Sequence, residues 1–158
     1  MSVRVTPRTL LLVAAAAVAL AGCESAEEEI NEVIGNNFVA ELNGGNEVPG
    51  PGDPDGWGRA AIAINDASNM ICIDLEVRSI GDVTAAHIHR GAAGVAGPPV
   101  VNIDPPDDVD SDDCDTVTDA LVDEIRGNPG GFYVNVHTAE FPEGAIRGQV
   151  VNVEKDGV

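Results

Sequence analysis

Basic residues are scarce in this chain of 158 residues. Lysine occurs once, as Lys155, and lysine and arginine together number 8 against 27 aspartate and glutamate residues. The formal net charge at pH 7 is −19. So few cations cannot neutralise a run of phosphates, which argues against nucleic acid as a partner and against direct adhesion to anionic lipid headgroups. A charge of this sign and size instead favours a loose affinity for cations.

Long apolar segments are also missing. The longest one, Thr9–Leu20, has twelve residues and is too short to cross a bilayer. Two arginines precede it, and it ends in Leu20-Ala21-Gly22-Cys23. This arrangement is similar to a bacterial lipoprotein signal, in which a small residue precedes an obligatory cysteine. We therefore predict that residues 1–22 are removed and that lipid on Cys23 anchors the chain to a membrane, in the cell envelope and outside the cytoplasm. An ordinary signal peptide followed by an unrelated cysteine is the alternative.

The remaining chain is long enough for one domain with a single core. Residues 23–37 contain three consecutive glutamates and few core-forming residues, so they are predicted to be an acidic tether. The domain is predicted to span residues 38–153, followed by a short tail, 154–158.

Cysteine is limited to three positions. With Cys23 assigned to the anchor, Cys72 and Cys114 remain, and two cysteines in an exported domain usually pair. We predict a disulfide between them, and two free buried thiols are the alternative.

The common catalytic motifs are absent. No serine lies in a Gly-x-Ser-x-Gly turn, no cysteine adjoins a histidine, and no glycine-rich loop carries the lysine needed to hold phosphate. We therefore predict that the chain is not an enzyme.

What the domain does contain is a series of short segments in which apolar and polar residues alternate. This pattern predicts β-strands, and turns at regular spacing predict an antiparallel Greek-key sandwich or barrel. The predicted strands are Phe38–Asn43, Arg59–Asn65, Met70–Arg78, Val83–His89, Pro99–Ile103, Phe132–Thr138 and Ala145–Val153.

Two segments depart from the alternating pattern. Residues 115–126 have an apolar stripe at helical spacing, so one short helix is predicted there, capped by Asp115 or Thr116. Residues 104–115 contain seven aspartates. They lack the glycine and the ligand order of an EF-hand, so they are predicted to form a solvated acidic loop.

All three histidines lie in predicted strands. His87 and His89 are two residues apart and therefore point to one side of their strand, and His137 lies on the polar side of a later one. If these strands are neighbours, the three imidazoles converge and can hold copper or zinc with one position open. Candidate partners for the remaining ring nitrogens are Asn135, Thr138, Arg147 and Gln149. A hydrogen-bond network that fixes strand register is the alternative, and the sequence leaves both open.

Three motifs follow one another along the domain: an opening motif at Phe38–Pro49, a central motif at Ala85–Gly91 and a closing motif at Tyr133–Thr138 and Ile146–Gln149. Their sequences and order resemble the CHRD domain, a module named after chordin and common in exported bacterial proteins. The resemblance covers about residues 38–151. The chain departs from the family pattern in an insertion at Gly50–Asp55, in Ala145 where an acidic residue is usual, and in its aspartate-rich segment.

This resemblance implies an all-β sandwich similar to immunoglobulin domains or to copper/zinc superoxide dismutase. It implies no catalytic activity, because the family has none established. The expected function is thus a non-enzymatic, lipid-anchored module with a binding or structural role at the cell surface. A lipoprotein that binds copper or zinc through its three histidines is the alternative. Full dismutase chemistry is disfavoured because the copper site of that enzyme needs four imidazoles, and this chain has 3 histidines.

Overall fold

The computed structural model describes residues 37–106 and 110–153. The predicted signal peptide, Cys23, the tether up to residue 36 and the tail 154–158 lie outside the described residues. Within them, strands alternate with turns and one helix, α1 (Asp119–Gly127). The strands are β1 (Asn37–Asn43), β2 (Trp57–Asn65), β3 (Met70–Arg78), β4 (Val83–Arg90), β5 (Pro99–Ile103), β6 (Asp110–Thr116), β7 (Phe132–Thr138), β8 (Ile146–Gln149) and β9 (Val151–Asn152).

The strands form one antiparallel sheet in the order β5-β4-β7-β8-β1-β2-β3-β6, with β9 beside β1. Its two end strands come close together. The backbone N–H of Asp104, just after β5, donates to Asp113 Oδ2 of β6 (3.1 Å), and the Ser111 hydroxyl donates to the Asp104 carbonyl (2.9 Å). The sheet is thus a nearly closed barrel in which β3, β6, β5 and β4 follow one another in Greek-key order. The predicted all-β fold with one helix is confirmed.

The barrel interior is the hydrophobic core. Alternate residues of each long strand point inward, as the period of two requires. In β7, for example, Phe132, Val134 and Val136 are buried in this core, and in β4 Ala86 and Ile88 are. The intervening residues of these two strands, which include all three histidines, therefore lie on the opposite face of the sheet.

The structure corrects the prediction of an acidic loop at residues 104–115. Asp110–Thr116 is a strand, β6, that pairs along its whole length with β3. Aspartate is depleted in strands and β6 contains no hydrophobic residue except its cysteine, so its sequence carries no strand signal. The strand forms because β3 offers it an unpaired edge of backbone N–H and C=O groups, and such groups favour pairing.

Cys72 and Cys114 stand directly opposite each other in β3 and β6 and are joined by a disulfide. The predicted pairing is confirmed. Cys114 is exposed. The bridge therefore fixes an edge strand that buries little apolar surface of its own.

The helix begins later than predicted, because β6 occupies the chain up to Thr116. Thr118 caps α1, and its hydroxyl accepts from the backbone N–H of Leu121 (3.3 Å). Val122 and Ile125 are buried against the core. The predicted last strand is also interrupted: Val150 separates β8 from β9.

Candidate metal centre

The histidines lie on the outer face of the sheet, where three strands bring polar residues into rows. In an antiparallel sheet, directly opposed residues point to the same side. His87 of β4 is opposite Asn135 of β7, which is opposite Arg147 of β8. His89 is in the same way opposite Tyr133, and His137 is opposite Ala85. Since β4 and β7 are neighbours, the condition for the three imidazoles to converge is met.

Two loops cover this polar face. Residues 91–98 pass over it, and the Gly97 N–H donates to the Tyr133 hydroxyl (3.1 Å) while Gln149 Nε2 donates to the Gly91 carbonyl (2.7 Å). Residues 44–56 cover the other side, where Asp53 N–H donates to the Ala145 carbonyl (2.8 Å). The loops exclude much of the solvent, so polar groups beneath them are buried although they lie outside the barrel.

The three imidazoles form a compact cluster. The ring centroids of His87 and His89 are 5.3 Å apart, those of His87 and His137 are also 5.3 Å apart, and those of His89 and His137 are 6.3 Å apart. One ring nitrogen from each residue can be chosen so that all three lie within 4.8 Å of one another. No other group of three histidine, cysteine or acidic side chains in residues 37–106 and 110–153 meets this criterion.

Backbone carbonyls orient two of the three rings. His89 Nδ1 lies 2.9 Å from the Gly97 carbonyl oxygen, and His137 Nδ1 lies 3.0 Å from that of Pro142. A carbonyl can only accept a hydrogen bond, so both Nδ1 atoms carry hydrogen and donate it. In the neutral ring the opposite nitrogen, Nε2, then has a free lone pair.

One buried ring nitrogen of each histidine has no partner within the described part of the chain. His87 Nδ1, His89 Nε2 and His137 Nε2 are buried, and none makes a hydrogen bond there. His89 as a whole is only 9% exposed. Buried polar atoms are nearly always paired, and an orphan costs about 1–3 kcal/mol. Three such atoms in one cluster mark it as a place where a bound ion or an ordered water would be stabilised.

The surroundings of His87 and His89 also favour their neutral forms. Burial lowers the pKa of His87, and the neighbouring His137 and His89 lower it further. Burial likewise lowers the pKa of His89, although its bond to Gly97 opposes this shift. Neutral imidazole is the form that binds a transition metal.

Tyr133 and Arg147 pack beside the cluster. The Tyr133 ring stacks on His89 with centroids 4.9 Å apart, and Arg147 Cζ lies 3.4 Å from the Tyr133 centroid. Arg147 is 2% exposed, and its Nη2 donates to the carbonyls of Ala92 (3.0 Å) and Val95 (2.9 Å). Its charge contributes to the lowered pKa of His89. Arg147 therefore ties a covering loop to the sheet, while its charge opposes a cation nearby.

The other candidate partner residues make their hydrogen bonds elsewhere than to the imidazoles. Asn135 donates to Glu47 Oε1 (2.6 Å), Thr138 Oγ1 accepts from the Phe141 N–H (3.1 Å), and Gln149 donates to three carbonyls. The carbonyls of Gly97 and Pro142, and not these side chains, make the hydrogen bonds to the rings of His89 and His137. A backbone carbonyl carries no side-chain signal, so sequence reasoning could not find it.

Glu47 is a functional candidate that sequence reasoning missed. It is 6% exposed, and burial raises the pKa of its carboxyl to about 7 although Arg147, the Val48 N–H and Asn135 all lower it. Glu47 lines a cleft of about 250 Å³ together with His89 and His137. Its only sequence signal was that it lies in the opening motif, as the one acidic residue between glycine, asparagine and proline.

The family model of the CHRD domain matches residues 38–150. The chain belongs to the CHRD domain family. Comparison with curated proteins and with solved structures gave no significant match. Membership of the CHRD family indicates an extracellular-type module, and enzymatic activity is not known for this family.

Two further observations concern where this CHRD domain resides. The Cys72–Cys114 disulfide is of the kind that persists in an oxidising compartment, which agrees with an extracellular or secreted protein. Among residues 37–106 and 110–153, no helix has the length and apolar content needed to cross a membrane.

Proposed function

We propose that this CHRD domain is a lipid-anchored module outside the cytoplasm that binds one copper or zinc ion through His87, His89 and His137. In this proposal the protein sequesters or delivers the ion and is not an enzyme. Two observations carry the proposal: one ring nitrogen of each histidine lies within 4.8 Å of those of the other two, and each histidine has a buried ring nitrogen without a hydrogen-bond partner among the described residues.

A purely structural histidine network explains this observation poorly. In such a network each buried nitrogen would bond to a neighbouring side chain or carbonyl, because an unpaired one destabilises the fold. Here each histidine has one buried nitrogen without a partner in residues 37–106 and 110–153, and the three rings form a single cluster. A metal ion would accept all three lone pairs at once.

The geometry requires only a small adjustment to hold a metal. Nitrogen ligands of a tetrahedral zinc ion lie about 3.3 Å apart when each bond is about 2.0 Å long. The candidate nitrogens lie within 4.8 Å of one another, so modest rotations of the rings bring them to that separation. Imidazole nitrogens suit both copper and zinc, and three of them leave one coordination position open.

The lipid anchor is part of the same proposal. It is supported by the Leu20–Cys23 motif after a short apolar segment, and it agrees with the disulfide. Incorporation of a palmitate analogue into the full chain, and its loss in Cys23→Ser, is the expected result. A Cys23→Ser protein that still incorporates label would refute the anchor and leave the metal site unaffected.

Metal binding is tested on the full chain, purified in mild detergent, loaded with Cu²⁺ or Zn²⁺ and dialysed. We expect about one ion per chain, and loss of that ion in His87→Ala. Asn102→Ala is the matched control, because Asn102 is exposed and stands opposite His87 in β5. Absence of retained metal, together with a destabilised His87→Ala protein, would instead support a structural network.

A further inference from the structure

The cleft beside the histidines contains a carboxyl group that the metal-binding proposal does not use. Glu47, His89 and His137 line it, and Glu143 lies at the same cleft. Glu143 is exposed, whereas Glu47 is buried. The cleft thus contains a buried carboxyl, Glu47, as a candidate functional group, and an exposed one, Glu143, that can serve as its control.

The structure holds the Glu47 side chain in a defined position. Asn135 Nδ2 donates to Glu47 Oε1 at 2.6 Å. Two glycines make room for the side chain: a Cβ atom on Gly144 would lie 2.4 Å from Glu47 Oε2, and one on Gly52 would lie 2.6 Å from Glu47 Cγ. Gly144 also has a φ of +143°, which other residues rarely adopt. The hydrogen bond and the two glycines together hold the carboxyl in place beside the cleft.

Asn135, which donates to the carboxyl, belongs to the same row of polar residues as His87. Asn135 lies in register between His87 and Arg147. No ion pair within 4.0 Å joins Glu47 to Arg147 in the described structure, since the guanidinium is bonded to two carbonyls. A buried carboxylate without a close counter-ion is costly. A cation held by the three imidazoles would supply that counter-ion.

Glu47 is nevertheless not a member of the group of ligand atoms within 4.8 Å. Direct coordination would need a larger movement than the rings require. A ligand at the open coordination position, however, would extend from the metal into the cleft that Glu47 lines. One water molecule is the smallest group that can join a metal to a carboxylate in this way.

On the basis of the proposed metal site, we infer that Glu47 accepts a hydrogen bond from the ligand at the open position and thereby determines its chemical class. The carboxylate favours ligands that carry a hydrogen, such as water or an amine. It disfavours small anions, because like charges repel in a partly enclosed cleft. Glu47 is thus a specificity-determining residue that acts on the exogenous ligand, and the metal remains bound by histidine alone.

Cobalt and azide test this inference on the full chain in detergent. Co²⁺ replaces zinc, and its visible absorption reports coordination at the histidines. Titration with azide at about pH 8, where a Glu47 carboxyl with a pKa of about 7 is mostly ionised, then measures the affinity of the open position for an anion. We expect Glu47→Gln to bind azide roughly tenfold more tightly than the wild type, since one negative charge near the site is removed. We expect Glu143→Gln, the matched control, to bind azide as the wild type does.

A second variant keeps the test decisive if Glu47→Gln does not fold. Glu47→Ala removes the carboxyl altogether and is expected to increase azide affinity in the same direction. If Co²⁺ binds and the azide affinity is the same in the wild type and in the folded variants, the role of Glu47 is overturned. The metal site itself would remain supported. Absence of Co²⁺ absorption at the histidines in the wild type would overturn the metal site itself.

Discussion

The outer side of the barrel carries two polar regions that differ in what covers them. On β4, β7 and β8 the polar residues of the site are buried or half-buried beneath the loops 44–56 and 91–98, and several are oriented by hydrogen bonds to backbone carbonyls. On β3 and β6 the polar residues are carboxylates: Asp74 stands opposite Asp112, and Glu76 opposite Asp110. We call these the histidine face and the acidic face.

This difference shows that an alternating strand does not by itself make a binding site. Both faces arise from the same period of two in antiparallel strands. On the histidine face the loops remove water, so each polar atom needs a partner and the unpaired nitrogens become informative. On the acidic face Asp74 and Asp112 are exposed, and water satisfies them. Charge density without burial therefore gives no comparable indication of a ligand.

Removal of the disulfide is expected to have the largest effect and to act on the acidic face alone. The Cys72→Ser/Cys114→Ser protein should lose about 4 kcal/mol of unfolding free energy, because the bridge closes a long loop. Denaturant unfolding of the metal-free protein measures this loss. Metal retention by the folded double variant should equal that of the wild type. Loss of metal together with the disulfide would show that the two faces are coupled.

The second-largest expected effect is a pH dependence of the unfolding free energy, which arises from residues at the histidine face. Burial holds the pKa of Glu47 at about 7, above the ordinary 4.5. The folded state therefore binds this proton more tightly than the unfolded chain does. The resulting stabilisation is fully present below pH 4.5, the pKa in the unfolded chain, and it is lost as the pH rises through about 7, the pKa in the folded state. The lowered pKa values of His87 and His89 act in the opposite direction, because they reduce stability below pH 6.5.

Comparison with Glu47→Gln separates these effects, since the variant retains the histidines. The unfolding free energy of the metal-free wild type, relative to that of the variant, should fall by about 2.5 kcal/mol between pH 5 and pH 8. Denaturant unfolding at several pH values provides the measurement. Parallel pH profiles for the two proteins would mean that Glu47 has an ordinary pKa in the folded state.

The smallest expected effect concerns repulsion on the acidic face. Asp112→Asn should stabilise the protein by about 0.5 kcal/mol at low salt, because it removes a like charge directly opposite Asp74. Desolvation and the nearby Asp112 and Asp110 raise the pKa of Asp74, which agrees with this repulsion. The gain should disappear in about 1 M salt, where the charges are screened.

Asp123→Asn is the control for net charge, because Asp123 is exposed on α1. It should have little effect at either salt concentration. Equal stabilisation by the two substitutions would show that total charge, and not the pairing of β3 with β6, is responsible.

The sequence predicted most of the fold because the seven segments recognised as strands contain eight of the nine strands observed. The strand signal failed for β6, where pairing with β3 overrode an unfavourable composition. The sequence predicted which side of each strand the histidines occupy. It did not establish that β4 and β7 are neighbours, because strand order depends on contacts between distant parts of the chain. Glu47 was not predictable as part of the site, since it is 88 residues from Asn135 and lies in a loop whose path only the folded chain defines.

The acidic edge strand also affects self-association of the domain at high concentration. β6 ends the sheet, and an end strand presents backbone groups that can recruit a strand from another molecule. Four of its seven residues are aspartates, so an approaching second copy would meet an array of like charges. A strand that adds almost nothing to the core thus protects crowded molecules from edge-to-edge aggregation.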